Sequence, residues 1–382
     1  MIQMNVLFLI PALEPGGAQR QLIELIKGLD KNRFAITLAT FYEGGMLWPD
    51  VEKIPEVKLV SLKKSGRWDV FPFLFRLWRT ARQTKPQIMY GYMNFACNLC
   101  LLVGRAVGAK VVWSLRSSNI DYKRYGWPED WNFRVGAWLS HFANLIIVNS
   151  HAGKQYHSDC GYSDTRMVVI PNGIDTEHYY PAHTARATLR AHWGIAQHET
   201  LIGLVGRLEG LKDHPMFLRA AAELILEYPD VRFVCVGTGS PAYTTELRAL
   251  GEGLGLGKRL IWAGATNDMP PVYNALDLLV SSSSTEGFSN AIGEAMACGV
   301  PCVVTDVGDS ALIVDATGDV VPPQDSRALA QALRKWLRLS RSERQSRGVE
   351  ARARIEHEFN MRGMVTKTEA ALQNLLTPER QP

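Results

Sequence analysis

The sequence predicts an α/β fold of two parallel-sheet domains facing a cleft. Three observations carry that prediction. Short apolar runs with little polar alternation recur along the chain, as in strands covered on both faces. Helix-length stretches separate them, which implies parallel pairing through right-handed crossovers. The alternation pauses once, at VVIPNGIDTEHYYPAHTA (168–185), and then starts again. At 382 residues the chain also exceeds what one core usually serves.

In the first half, strands are expected at 5–10, 35–41, 57–62, 87–92, 111–115 and 144–150. In the second half they are expected at 200–206, 231–237, 259–264, 276–282 and 300–306. Helices are expected between them, among others at 17–29, 214–227, 289–298 and 325–338. A hinge falls in the pause. Ligands of such sheets sit outside the carboxyl ends of the strands, so chemistry is expected in the cleft.

Composition excludes several classes. The longest apolar runs fall short of the roughly 20 residues that a spanning helix needs. The opening MIQMNVLFLIPALEPGG lacks a basic leader and reads as a first strand. Six cysteines are too sparse for a disulfide framework, and the lone CxxC of Cys97 and Cys100 has no second pair to complete a zinc site. A reducing compartment is therefore expected. The net charge of +4 divides into +6 over residues 1–180 and −2 over the rest. That asymmetry is far below the basic excess of a nucleic-acid binder, but it suits a phosphorylated substrate or an anionic membrane surface.

Three segments carry candidate chemistry. In LIPALEPGGAQRQLIEL (9–25) a strand ends, Gly16 and Gly17 allow close backbone approach, and a helix begins near Ala18. Such a helix start presents N–H groups to an anion. In GLVGRLEGLKDHP (203–215), Arg207 and Lys212 follow a strand and can converge on a diphosphate, one as a fork and one as a point charge. The third segment, SSSSTEGFSNAIGEAMACGVP (281–301), is the most specific. Glu286 lies in its loop, a helix opens near Ser289 or Asn290, and Glu294 sits on an otherwise apolar helix. A buried carboxylate needs a partner; ribose hydroxyls would serve, and so would an internal Arg or Lys.

Together EGFSNAIGE (286–294), GRLEGLKDHP (206–215), IPNGID (170–175) and GGAQR (16–20) resemble the retaining GT-B glycosyltransferases of family 4, or glycosyltransferase group 1. The resemblance covers nearly the whole chain. It implies two Rossmann-like domains: an acceptor-binding domain over 1–175 and a nucleotide-sugar-binding domain over 176–355. The segment 356–382 would return to the first domain, as one helix over about 356–378. Residue by residue, it assigns Arg207 and Lys212 to the donor diphosphate, Glu286 to the donor sugar and Glu294 to the ribose. Phe288, Ser289 and Asn290 fall at backbone contacts to sugar and phosphates. Gly17 approaches the diphosphate, and the strand ends at Gly237 and Gly264 border the base. Many members carry His where this chain has Arg116, which would bind an anion or a sugar hydroxyl on the acceptor side.

The implied reaction is hexosyl transfer from a nucleotide-sugar to a glycan or lipid-linked acceptor in polysaccharide or glycolipid assembly, on the cytoplasmic side. No metal or cofactor is expected, because Arg207, Lys212 and the helix start would stabilise the leaving-group charge, in line with the absence of an obvious DxD element at a strand end. A nucleotide-sugar epimerase, a phosphorylase and an inactive sugar-binding homologue are the alternatives. Within RWDVFPFLFRLWRTARQTK (67–85), Phe71, Leu74, Phe75 and Trp78 share a helical face, with Arg76, Arg79 and Arg82 elsewhere. Two readings stand: a peripheral membrane contact, or a core helix with a basic solvent face.

Overall fold

The computed structural model describes residues 3–66, 68–118 and 126–377. The chain divides into two units, one of residues 1–173 with 361–382 and one of residues 174–360.

In unit 1 the strands are β1 (Met4–Ile10), β2 (Phe34–Thr40), β3 (Val57–Ser61), β4 (Ile88–Tyr92), β5 (Lys110–Leu115), β6 (Leu145–Val148) and β7 (Met167–Val169). They form a parallel sheet in the order β3-β2-β1-β4-β5-β6-β7. The helices are α1 (Gly17–Gly28), α2 (Trp48–Glu52), α3 (Val70–Thr84), α4 (Asn94–Val107), α5 (Trp127–Ser140) and α6 (His151–Asp159). β1 shows why its sequence lacks polar alternation. Leu7 and Leu9 enter one core with α3, α4 and α5, while Val6, Phe8 and Ile10 enter the other with α1. Both faces of the strand are covered, so both sets are apolar.

In unit 2 the strands are β8 (Thr200–Val205), β9 (Val231–Val236), β10 (Leu260–Gly264), β11 (Leu278–Ser281), β12 (Cys302–Thr305) and β13 (Asp319–Val321). Their parallel order is β10-β9-β8-β11-β12-β13. Helices α7 (His183–His192), α8 (His214–Leu224), α9 (Pro241–Gly253), α10 (Pro270–Ala275), α11 (Asn290–Ala297), α12 (Ser310–Val314), α13 (Ser326–Arg338) and α14 (Arg341–Glu358) cover them. The chain ends in α15 (Met361–Asn374), which returns to unit 1. There Met364, Val365 and Leu372 join the core formed with α1.

Three expectations need correction. The single helix over 356–378 is two helices, because α14 stops at Glu358 and α15 starts at Met361. β7 and β13 were not anticipated; each is a three-residue strand at a sheet edge, too short to show a period. On α3, the inward stripe is Phe73, Leu77 and Ala81, while Phe71, Phe75 and Trp78 are exposed. The solvent face of this helix is therefore aromatic, not merely basic. Arg76 turns inward, its Nε donating to the Leu62 carbonyl at 2.6 Å. Arg67 and residues 378–382 lie outside the described residues.

The CxxC thiols are both buried in α4. Burial pushes the Cys97 thiol up to about 12. Among the described residues, no helix is long and apolar enough to cross a membrane.

Candidate functional site

In unit 2 the strand order turns at β8 and β11, which are hydrogen-bonded neighbours far apart in sequence. The carboxyl ends of such a pair are where an open parallel sheet takes its ligand. Both leading segments start there. Residues 206–213 leave β8, and residues 282–289 leave β11.

The two loops are tied by Ser282 and Ser284. Ser282 Oγ donates to the carbonyls of Lys212 (2.9 Å) and Asp213 (3.0 Å). The Ser284 amide donates to the Leu211 carbonyl at 2.9 Å. Lys212 Nζ lies 2.5 Å from Glu286 Oε1, the oxygen that also accepts from Ser283 Oγ at 2.8 Å. Both partners are largely sheltered from water, which strengthens the pair beyond a surface salt bridge. The lysine stem passes close over Gly206, where an added Cβ would stand 3.2 Å from Lys212 Cε. The site thus presents an ammonium and a carboxylate on backbone that its own hydroxyls hold in place.

The ends of β8, β9 and β10 are knit together at glycines. The Gly237 amide donates to the Gly264 carbonyl at 2.8 Å, and the Gly206 amide donates to the Val236 carbonyl at 3.0 Å. Gly237 has φ +146°, and a Cβ there would stand 1.9 Å from the Gly206 carbonyl oxygen. Gly237→Ala is therefore expected to cost about 3 kcal/mol, read as a lower urea midpoint with an unchanged m-value.

α11 opens at Asn290 behind Ser289, whose side chain makes no cap hydrogen bond. A helix start of this kind points its first-turn N–H groups along the axis, toward the end of the loop. Phe288 anchors the loop, its ring buried 5.5 Å from Phe359. Glu294 falls in the second turn and accepts a hydrogen bond from the buried Tyr273 hydroxyl, 2.6 Å from Oε2. Burial first, and the Glu294 charge second, push the Tyr273 phenol well above its usual range. A neutral tyrosine thus partners this carboxylate, where sequence reasoning weighed ribose against Arg or Lys.

Arg207 is placed differently from Lys212. It stands in the same loop, but its guanidinium is 78% exposed and pairs with Glu209 at 3.1 Å. In unit 1, Gly17 is the first residue of α1, one position before the expected start. Arg116 follows β5 and is clamped by neutral groups. Its Nε donates to Ser114 Oγ (2.6 Å), Nη1 to Asn172 Oδ1 (2.8 Å) and Nη2 to Tyr92 Oη (2.8 Å). The guanidinium also lies 4.9 Å from the Tyr92 ring centroid. Three of its five N–H groups are thus used inside unit 1.

Two family models divide the chain as the two units do. Glycosyltransferase Family 4 matches residues 15–178, and Glycosyl transferases group 1 matches residues 199–338. The chain belongs to the family 4 glycosyltransferases. This glycosyltransferase is 23% identical over 313 residues to the putative glycosyltransferase EpsF of Bacillus subtilis (strain 168), covering 80% of this chain and 79% of that one. It is 33% identical over 188 residues to the UDP-Gal:alpha-D-GlcNAc-diphosphoundecaprenol alpha-1,3-galactosyltransferase of Escherichia coli. That match covers 47% of this chain and only about half (48%) of the relative. Among solved structures, Anabaena HepE in complex with UDP-glucose superposes with a TM-score of 0.83 at 25% identity, covering 97% of this chain and 100% of that one. The two parallel sheets and these neighbours make the glycosyltransferase a GT-B protein.

Sequence reasoning missed several site residues of this glycosyltransferase. Tyr273 bonds Glu294, Ser282 bonds the Lys212 backbone and Ser283 bonds Glu286, while Ser284 holds Leu211. The serine run was visible as a polar strand end, but nothing in its spacing showed what it would bind. Gly308 was missed as well. At φ +58°, an added Cβ there would stand 2.4 Å from the Glu286 carbonyl oxygen, so only glycine lets the loop after β12 pack on the Glu286 backbone.

Proposed function

We propose that this glycosyltransferase moves a sugar from a nucleotide-sugar to a glycan or lipid-linked acceptor, with retention of anomeric configuration. Its setting is polysaccharide or glycolipid assembly on the cytoplasmic side. The observation that carries the reading is the Lys212–Glu286 pair at the carboxyl ends of β8 and β11. The names of the relatives make a UDP-sugar the first donor to test.

In this reading the bond between the anomeric carbon and the departing phosphate oxygen breaks. A bond to the acceptor oxygen forms on the same face, and the leaving phosphate takes the acceptor's proton. Negative charge grows on the diphosphate while the sugar becomes oxocarbenium-like. Lys212 and the first-turn N–H groups of α11 meet the growing anion, and Glu286, beside them, steadies the cationic sugar. Arg207, exposed and paired with its loop neighbour Glu209, has the freedom to swing onto the same diphosphate. Glu294, steadied by its Tyr273 bond, takes the ribose hydroxyls. Gly237 and Gly264 leave room beside the base. Arg116 holds two further N–H groups for an acceptor hydroxyl or anion.

Two outcomes test the proposal. Glu294→Ala is expected to weaken UDP-sugar binding at least about tenfold by calorimetry, and orphaning the Tyr273 hydroxyl should also lower stability by about 1–3 kcal/mol. Donor affinity that stays unchanged would refute the ribose assignment. Because protein cations carry the leaving-group charge, turnover is expected to persist in a chelator; its loss on chelation, restored by a divalent ion, would assign that role to a metal.

A further inference from the structure

The helices on one face of the unit 1 sheet expose aromatic side chains together. α4 packs between α3 and α5, and the inward stripes of all three share one core. Their outward stripes carry Phe71, Phe75 and Trp78 on α3 and Trp127, Trp131 and Trp138 on α5. Phe71 is 84% exposed and Trp127 78%. Between them α4 exposes Phe95 and Leu102. In unit 2, by contrast, no Trp or Phe is exposed among the described residues. Scattered apolar residues need no explanation, but a face of this composition on one layer of one unit marks an interaction surface.

The spacing shows that the exposure is built into the helices. Trp127, Trp131 and Trp138 follow one another at helical intervals, opposite the buried Phe133, Gly136 and Ala137. Phe71, Phe75 and Trp78 do the same opposite Phe73, Leu77 and Ala81. The accompanying charge is basic. The three helices hold five arginines and two carboxylates. One of those carboxylates, Asp130, is already paired with Arg134 at 2.9 Å. Arg79, Arg82 and Arg105 are exposed, and the Arg82 guanidinium lies 5.4 Å from the Trp78 ring centroid.

We propose that this outer face docks on an anionic lipid bilayer, with α3 and α5 as two aromatic legs on either side of α4. Tryptophan and phenylalanine beside arginine match the headgroup region, where rings enter the acyl boundary and guanidiniums meet phosphates. The face lies on helices outside the catalytic loops, so the proposal does not depend on which sugar is transferred.

The test uses the full chain and vesicles of phosphatidylcholine, either alone or mixed with phosphatidylglycerol. The protein should sediment with the mixed vesicles, release in high salt and show a blue-shifted tryptophan emission. Two variants, Phe71→Ser/Phe75→Ser/Trp78→Ser and Trp127→Ser/Trp131→Ser/Trp138→Ser, should each weaken that binding at least about tenfold. Unchanged melting and UDP-sugar calorimetry would show that fold and donor site are intact. No sedimentation of the parent protein, or equal sedimentation of both variants, would overturn the proposal. Loss in the α3 variant alone would overturn the two-legged surface. A concentration-dependent dimer that both variants make monomeric would assign the face to a second copy instead.

Discussion

Replacing Lys212 with alanine is expected to lower kcat about a hundredfold, with a smaller effect on donor affinity. The magnitude follows from losing about 3 kcal/mol of stabilisation where charge develops on the leaving diphosphate. Position matters as much as charge. The lysine is held within 2.5 Å of Glu286, its stem lies on Gly206, and its carbonyl is bonded to Ser282. A lysine anchored this way pays little reorganisation cost when the substrate charge appears. Lys212→Arg should restore little of the rate, because a planar fork does not follow the narrow path over Gly206 that the lysine stem takes. Stability should fall only modestly, since Glu286 keeps its bond from Ser283. A kcat near that of the parent in both variants, measured with saturating donor, would show that the ammonium does not meet the leaving group.

Acid is expected to destabilise both units between pH 6.5 and 4, well before most carboxylates titrate. His157 in unit 1 and His214 in unit 2 are fully buried, and burial brings each ring down from 6.5 to about 4. For His214 the Lys212 charge adds to the effect. The His157 ring donates from Nδ1 to the Gly153 carbonyl at 2.8 Å, which fixes the neutral tautomer. Below pH 6.5 the unfolded chain binds protons at these positions and the folded chain does not. The stability they contribute is therefore fully present above 6.5 and is lost as pH falls toward 4, by up to about 3 kcal/mol for each ring. Urea unfolding at pH 7 and pH 4.5 measures the loss. His157→Gln and His214→Gln should each flatten it. An equal drop in the parent and both variants would assign the acid sensitivity to other groups.

Most of the architecture was legible because parallel strands covered on both faces leave a local signature. β1, with its two-sided core, is the plainest case, and the helices at 17–28, 214–224 and 290–297 fall where capping and breaker residues place them. The site was legible as residue types but not as partnerships. Lys212 and Glu286 are brought together only by the pairing of β8 with β11, which no local pattern reveals. The partnership of Glu294 with Tyr273 is set by how α10 packs on α11, and the outward turn of Arg207 beside Glu209 has no local signature either. On α3 the periodicity identified an aromatic face but not its direction. A stripe of Phe and Trp looks like a core stripe, and only the packing of Phe73, Leu77 and Ala81 shows which side is covered.

The return of α15 to unit 1 has a consequence for how the polypeptide is made. Gln21, near the start, holds Gly173 through both its amide nitrogen (2.8 Å) and its oxygen (3.1 Å), and Gly173 abuts the backbone of Met361. The core around α1 is therefore closed by α15, a fourteen-residue helix that leaves the ribosome only after the whole of residues 174–360. Residues 174–360 can complete their fold during synthesis, while the amino-terminal sheet must wait, with one flank open, until α15 has emerged. Nascent chains stalled just short of Met361 should thus hold a protease-resistant second unit beside a first unit that is still cleavable.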